Sequence, residues 1–467
     1  MAKLSFLGAA KQVTGSMFLL ELKDGYKILI DCGRDLEHVL NNDHFPFNPE
    51  EINLVLLTHA HLDHCGNIPV LIKKGYKGQI LCTGATEALS NIVLNDTASI
   101  NVKRRQKSFS KNKQNKKALN RCLDTGLFYK QDVEASIDKF VSLTFDQTFQ
   151  VNKDVSVKFV RAGHLLGAAH IIVYIRENNN LTSICFSGDI GRKNSPLLQD
   201  PSPVERVDYL VTEGTYGNRL HLNKEHPEEY LEKIITHTCV EKRGRLIIPS
   251  FSIGRTQTIL YLLNRLKAEG KLPPIKVFTD SPMAKESTAI HEKYLMLLNK
   301  DCIRFLEKHG SLFDFDNLIF APTLKESLAV SNYNEPCIIL SSSGMITGGR
   351  IQAHIKKNLG NSYCTILLIG YCAEGTIGAE LAKGKKSVRI NGKEYQVAAQ
   401  VEQTDIFSGH VDKEDLITFV KQHSTNRLKR VFLVHGEEMA LKEFSEVLEG
   451  IGYSTIIPEK GESFILD

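Results

Sequence analysis

The sequence predicts an α/β protein built from more than one domain, and three observations lead there. The chain has 467 residues, more than one ordinary hydrophobic core accommodates. Its 42% hydrophobic and 24% charged residues are the proportions of a globular protein. Its hydrophobic pattern changes after residues 209–212, from short strands to alternating strands and helices. That rhythm indicates βα units around a parallel sheet.

The elements follow in order. Residues 4–8, 16–22 and 27–31 are β-like, with Asp24-Gly25 where a hairpin turn belongs. Residues 52–58 are almost continuously apolar, as expected of a buried strand. Helices are expected over 67–74 and 86–105, and strands over 156–162, 170–176, 182–187 and 209–212. The βα stretch reads as helix 227–242, strand 244–248, helix 254–269 and strand 275–279. Strands 337–341 and 364–369 come later, with a helix between them. Asn391-Gly392 marks a tight hairpin between residues 387–390 and 394–401. Helix 413–422, strand 430–435 and helix 437–449 close the chain.

Composition bounds the setting. None of the ten cysteines forms a CxxC pair, so a thiolate zinc knuckle or a dithiol redox motif is not expected. They read as small buried hydrophobes in a reducing compartment. The N-terminus lacks the apolar core of a signal peptide, and no apolar run is long enough to cross a bilayer. The expectation is a cytoplasmic protein with no membrane partner. A net charge of +4 neither demands nor excludes a polyanionic one.

The strand at 52–58 delivers His59-Ala60-His61-Leu62-Asp63-His64 at its C-terminal end. Imidazole nitrogens and carboxylate oxygens are good ligands for zinc and similar divalent ions. His59 and His61 are two residues apart and can point to one side. Asp63 and His64 come a short turn later and can face a second ion. A loop of surface polar residues is the plain alternative, but windows this rich in ligands rarely arise without a metal. Gly163-His164-Leu165-Leu166-Gly167 and Ser187-Gly188-Asp189-Ile190-Gly191 each set one ligand type among glycines after a strand. Either alone is weak, because a lone His is more often a structural hydrogen-bonder and a Gly-Asp pair more often a turn. Together with the first cluster they are strong.

The order HAHLDH, GHLLG, SGDIG resembles the metallo-β-lactamase fold, an αββα sandwich. The resemblance implies that His59, His61, His164 and Asp189 hold one metal. It implies that Asp63 and His64 hold a second, with Asp189 bridging. Asp31, in Ile30-Asp31-Cys32-Gly33, matches an early structural aspartate of that family that supports a ligand.

Further segments resemble the β-CASP branch of nucleic-acid-processing hydrolases. They are Thr212-Glu213-Gly214-Thr215-Tyr216-Gly217, Ser408-Gly409-His410-Val411-Asp412 and Leu433-Val434-His435-Gly436-Glu437. Pro249 to Arg255, Ser341 to Met345 and Gly370 to Thr376 fall in the family's order as well. The texture is similar to prokaryotic ribonucleases related to the catalytic subunit of the pre-mRNA 3′-end cleavage complex. The fold implied is a metallo-β-lactamase αββα sandwich over 1–205 and 401–467, with an α/β β-CASP domain inserted over 206–400.

The resemblance implies a zinc-dependent ribonuclease with a two-metal hydroxide mechanism. Two Zn2+ ions are expected, with Mn2+ as a substitute, and His435 completes the second site. Cleavage is expected to be endonucleolytic, with 5′-to-3′ exonuclease activity as a second mode. Asp63 counts among the catalytic residues as well as the ligands. His410 is the candidate proton donor to the leaving alkoxide, with Glu213 holding it oriented and protonated. The rival roles are metal ligand or structural histidine for His410, and surface acid for Glu213.

Backbone amides and hydroxyls of Ser341, Ser342, Ser343 and Gly344, with Arg350 beyond, suit a phosphate cradle. A plain strand-to-helix turn suits them equally. Arg255 is a further candidate for contact with the nucleic-acid backbone. Residues 103–121 carry nine basic residues and no acid. A solvated helix end is the usual reading of such a run, and an RNA-contact strip is the sharper one. DNA is an alternative substrate, because metal-hydroxide attack needs no 2′-hydroxyl. A homodimer is compatible with the sequence. A hydrolase of a small ester, thioester or lactam, and a non-catalytic partner subunit, are the competing functions.

Overall fold

The computed structural model describes residues 2–36, 44–111, 127–177, 180–221 and 225–467. Two compact units divide the chain. The first comprises Met1–Lys193, Asp200–Leu220 and His410–Asp467, and the second Asn194–Gln199 and His221–Gly409. The main divisions fall at Leu220 and Gly409, where the sequence reading places them at 205 and 400. The reason is the strand Tyr209–Glu213, which pairs in parallel with Arg430–Val434 and so stays in the first unit.

The first unit holds two seven-stranded sheets. One runs, in spatial order, Ser463–Leu466, Ala2–Phe6, Phe18–Glu21, Lys27–Ile30, Leu54–Leu56, Gln79–Thr83 and Phe140–Leu143. The other runs Thr455–Ile456, Arg430–Val434, Tyr209–Glu213, Asn180–Phe186, Ala169–Glu177, Val155–Arg161 and Thr148–Gln150. Strand periodicity explains the layering. In Arg430–Val434, Phe432 and Val434 join the core between the sheets. Val431 and Leu433 join a second core with Leu416, Phe419, Leu441 and Phe444 of the helices Lys413–Val420 and Glu438–Gly450. Phe6, Phe18 and Phe432 interlock at the centre, with ring centroids 5.0 and 5.7 Å from Phe6. The helix Gly84–Lys111 packs on Gln79–Thr83 and Phe140–Leu143. Residues 112–121 of the basic run lie outside the described residues.

The second unit is built on a six-stranded sheet, spatially Leu318–Phe320, Lys276–Asp280, Cys337–Ser341, Arg245–Pro249, Thr365–Leu368 and Gln400–Gln403. Every pairing in it is parallel. Its central strands, such as Leu246–Ile248 and Ile338–Leu340, are buried without alternation, as helices on both faces require.

Sequence and structure differ in two respects here. The hairpin at Asn391-Gly392 forms, but its second strand ends at Gln396 and not at 401. The Val397 N–H donates to the Lys386 carbonyl, and those of Ala398 and Ala399 both donate to the Leu359 carbonyl. These bonds turn the chain out of the hairpin and into the separate parallel strand Gln400–Gln403. The reading also passed over the helices Lys130–Ile137 and Ile377–Ala382 and three consecutive ones, Pro282–Lys293, Lys300–His309 and Leu324–Asn332. Each of these last three carries a legible start, since Ser281, Asn299 and Thr323 accept a backbone N–H three residues on. Among the described residues, no helix is long and apolar enough to cross a membrane.

Candidate metal centre

Four strands of the first unit's second sheet point the same way: Val155–Arg161, Asn180–Phe186, Tyr209–Glu213 and Arg430–Val434. Their C-terminal ends present His164, Asp189, Glu213 and His435. Leu54–Leu56 in the facing sheet leads to His59 and His61, and the short helix Leu62–Cys65 holds Asp63 and His64. Residues up to 376 positions apart, from His59 to His435, thus meet at one edge of the sandwich.

Two sets of donor atoms meet at Asp189, and a third group, Asp189 with Glu213 and His410, lies within the same ligand reach. In the first, His61 Nδ1 lies 3.1 Å from His59 Nε2 and 3.2 Å from His164 Nε2. Asp189 Oδ2 lies 3.4 Å from both His59 Nε2 and His164 Nε2. In the second, Asp189 Oδ1 lies 3.3 Å from His64 Nε2 and 3.6 Å from His435 Nε2. His435 Nε2 is 3.4 Å from His64 Nε2 and 3.5 Å from Asp63 Oδ2. Ligand bonds of 2.0–2.1 Å in a tetrahedron put donors about 3.3 Å apart. Both sets therefore have the spacing of a divalent-cation shell. Asp189 Oδ1 is buried and has no hydrogen-bond partner, a costly condition that a cation between it and the two imidazoles relieves.

Electrostatics divide the imidazoles: burial opposes the charge on His64 and His435, but Asp189, with Asp31 beside the first and Asp63 beside the second, raises both above the ordinary range. Burial pushes the pKa of His59 well below the ordinary imidazole range and that of His61 down to about 4. Both rings are therefore neutral and offer a lone pair. Burial opposes ionisation of Asp189, but His435 and His64 beside it prevail and hold the carboxyl well below its usual range.

A second layer fixes the rings. Asp31 Oδ2 is 2.7 Å from His64 Nδ1 and accepts the Thr58 hydroxyl at 2.8 Å, while Oδ1 accepts the Thr58 N–H. The same Thr58 oxygen is 3.1 Å from His59 Nδ1. Thr58 thus gives its proton to Asp31 and accepts one from His59, which leaves Nε2 of His59 for a metal. Thr215 plays the matching part for His435. Its Oγ1 lies 3.1 Å from His435 Nδ1 and donates to the carbonyl of His435 at 3.1 Å. Asp31 and His435 both sit at positive φ, 58° and 49°. Such strain in non-glycine residues persists where surrounding bonds over-determine the backbone. Gly188, at φ 54°, turns the chain just before Asp189, and a Cβ there would come within 2.8 Å of Thr58 Cβ.

Beside the two sets, His410 Nδ1 lies 3.2 Å from both carboxylate oxygens of Glu213. Glu213 Oε1 also accepts the Ile190 N–H at 2.6 Å. Gly191 bridges to His410, and the Val411 N–H donates to the Ile190 carbonyl. The loop of Asp189 and the loop of His410 are therefore stitched together. The His410 ring sits 4.5 Å, centroid to centroid, from His164.

The structure brings together His59, His61, Asp63, His64, His164, Asp189, Glu213, His410 and His435. Sequence reasoning missed Thr58 and Thr215, although each stands beside a residue it singled out. The expected phosphate-cradle residues lie in the second unit. Ser341 is buried, and its hydroxyl donates inward to the Asp280 carbonyl. Arg350 Nη1 bonds Asp280 Oδ1 at 2.8 Å and the Ala321 carbonyl at 2.6 Å, and Nη2 bonds the Pro322 carbonyl at 2.7 Å. These three bonds brace the fold. Ser343 Oγ pairs with Thr347 Oγ1 at 3.1 Å. Ser342 and Gly344 are half-buried beside it. Arg255 Nη1 is 3.5 Å from the Ile369 carbonyl.

Three family profiles match the chain. They describe the metallo-beta-lactamase superfamily over residues 10–218, the Beta-Casp domain over 256–381, and a Zn-dependent metallo-hydrolase RNA specificity domain over 394–458. Ribonuclease TTHA0252 of Thermus thermophilus is 31% identical over 97% of this chain and 98% of its own. Transcription termination factor FttA of Methanosarcina mazei is 30% identical over 94% of this chain and 67% of its own. A crystal structure of a protein of unknown function from Enterococcus faecalis shares the fold, with a TM-score of 0.51 at 13% identity and 100% coverage of both chains. By its two donor sets, its inserted parallel-sheet unit and these full-length likenesses, the chain belongs to the β-CASP family of metallo-β-lactamase-fold nucleases.

Proposed function

We propose that this protein is a zinc-dependent ribonuclease that hydrolyses RNA phosphodiester bonds with two metal ions. The carrying observation is the shared Asp189, whose two oxygens each meet a separate set of imidazoles at metal-shell spacing. His59, His61, His164 and Asp189 would hold one ion. Asp63, His64, His435 and Asp189 would hold the other. Nitrogen-rich sets of this kind suit zinc, and manganese is an acceptable substitute. Bound there, the ions supply Lewis acidity that activates water and neutralises charge on the phosphate oxygens.

The chain's own residues do the rest. The Glu213 carboxylate receives the Nδ1 proton of His410 and fixes the ring, so Nε2 is left to pass a proton to the leaving 3′- or 5′-oxygen. Asp31, Thr58 and Thr215 hold the ligand rings in their tautomers and spare the site any reorganisation. RNA is the favoured substrate because the profile over 394–458 is described as an RNA specificity domain and the first relative is named a ribonuclease. Endonucleolytic cleavage is the main mode, with 5′-to-3′ trimming as a second. Ser342, Ser343, Gly344 and Arg255 are proposed as nucleic-acid contacts on the second unit.

The test is to incubate purified protein with 5′- and 3′-labelled RNA and DNA, with and without chelator, and to record its mass in solution. Chelator-sensitive cleavage of RNA is expected, and labels at the two ends separate internal cuts from trimming. Cleavage of DNA alone, or turnover only of a small chromogenic ester, would sink the ribonuclease reading.

A further inference from the structure

The second unit carries a feature that the metal chemistry does not use. In its parallel sheet, Arg245–Pro249 and Cys337–Ser341 are neighbours. From the first, the chain continues to Lys276–Asp280 on one side. From the second, it continues to Thr365–Leu368 on the other. Adjacent strands whose connections leave in opposite directions open a crevice beyond their carboxyl ends, the place where open α/β sheets receive ligands. The two segments that leave this point are 250–254 and 342–350.

Phe251 stands in the first of them. Its backbone is held hard: its carbonyl accepts the Thr256 hydroxyl at 2.7 Å, the Thr256 N–H at 3.3 Å and the Ser250 hydroxyl at 3.2 Å. Its side chain is nevertheless 42% exposed. Gly344, in the second segment, lies under the ring, and a Cβ there would come within 3.0 Å of both Cδ2 and Cε2 of Phe251. A lone exposed phenylalanine is ordinary. One with a fixed backbone, a glycine seat and a place at the topological switch point is a preorganised flat surface. Arg255, four residues on, is the first residue of the following helix Arg255–Ala268. Aromatic faces beside positive charge are the means by which proteins hold single-stranded nucleic acid without reading its sequence.

We infer that the carboxyl end of the second unit's sheet is a base-stacking subsite, with Phe251 as the platform for one unpaired RNA base and Gly344 as its seat. This rests on the ribonuclease reading and adds the contact by which an unpaired strand would be gripped. Gly344 then also matters for the room it leaves the ring.

The experiment measures binding of a fluorescent, phosphorothioate-linked single-stranded oligoribonucleotide to the metal-loaded full chain by anisotropy. Phe251→Ala should weaken binding about ten-fold, as loss of one stacked base predicts, and Phe251→Trp should not. Gly344→Ala should weaken it in the same direction by pushing the ring aside. An oligomer with abasic positions should bind the wild type more weakly, and Phe251→Ala should then cost nothing further. Thermal melts of each variant should match the wild type. Wild-type affinity in Phe251→Ala, with RNA still cleaved, would overturn the subsite and leave the ribonuclease reading standing. Loss of binding to a protein partner with RNA affinity unchanged would do the same. A wild type that neither binds nor cleaves RNA would overturn both.

Discussion

His410 and Glu213 face each other with one imidazole nitrogen 3.2 Å from both oxygens of a buried carboxylate. Neither residue belongs to the seven donors whose spacing fits the two metal shells. His410→Ala should therefore keep both metals and the melting temperature, yet lower kcat by about 10²- to 10⁴-fold, the usual worth of a general acid. Glu213→Gln keeps an acceptor for the Ile190 N–H and should lose less. Metal content by elemental analysis, beside single-turnover cleavage, checks both. A His410→Ala protein that had shed a metal would make His410 a ligand instead.

Thr215 ties the ring and the backbone of His435 with a single hydroxyl. Thr215→Val keeps the shape and removes that oxygen, so the Nδ1 proton loses its acceptor and the ring its fixed tautomer. Affinity for the second metal should fall about 10- to 100-fold, as loss of such an outer partner typically costs. Affinity for the first should hold. Thr215→Ser should restore most of the loss. Competition with a calibrated chelator, read as metal released per equivalent, separates the two sites without any activity assay.

Asp189 is the one carboxylate in both donor sets. Asp189→Asn should drop the bound metal below two equivalents and abolish RNA cleavage. Metal binding stabilises only the folded chain, so chelation should lower the wild-type melting temperature. The variant's melting temperature should respond much less. An Asp189→Asn protein that still held two equivalents would place the bridge elsewhere.

The metal centre was legible because its ligands sit in short windows at strand ends, each window marked by neighbours of unusual type. Gly188 before Asp189 is one such mark, since only a residue tolerant of positive φ turns there. Thr58 and Thr215 gave no comparable signal. A threonine at the end of a strand is ordinary, and its role rests on Asp31 lying 27 residues away and His435 lying 220 away. The bracing bonds of Arg350 were hidden for the same reason. Its partner Asp280 is 70 residues upstream, and no local pattern reveals that ion pair. The helices after Ser281, Asn299 and Thr323 are a different matter, because their capping residues were in plain view. Thr323 and Glu326 even form the full reciprocal box.

Acid should weaken the second unit through His291. This residue is fully buried; its Nδ1–H donates to the Ser287 carbonyl at 2.8 Å, and its Nε2 has no partner. Burial pushes its pKa from 6.5 to about 4. The folded-state value is therefore below the unfolded one. Above pH 6.5 both states hold the ring neutral and nothing is lost. Between pH 6.5 and about 4 the unfolded chain takes up a proton that the folded chain refuses. Stability then falls with pH by about 1.4 kcal/mol per unit from this one group. His291→Asn retains a donor near the Nδ1 position and cannot titrate. Whatever its effect at pH 7.5, its stability should decline less steeply between pH 6.5 and 5 than that of the wild type. Urea midpoints at four pH values give the two slopes, and identical slopes would mean that His291 titrates normally in the folded protein.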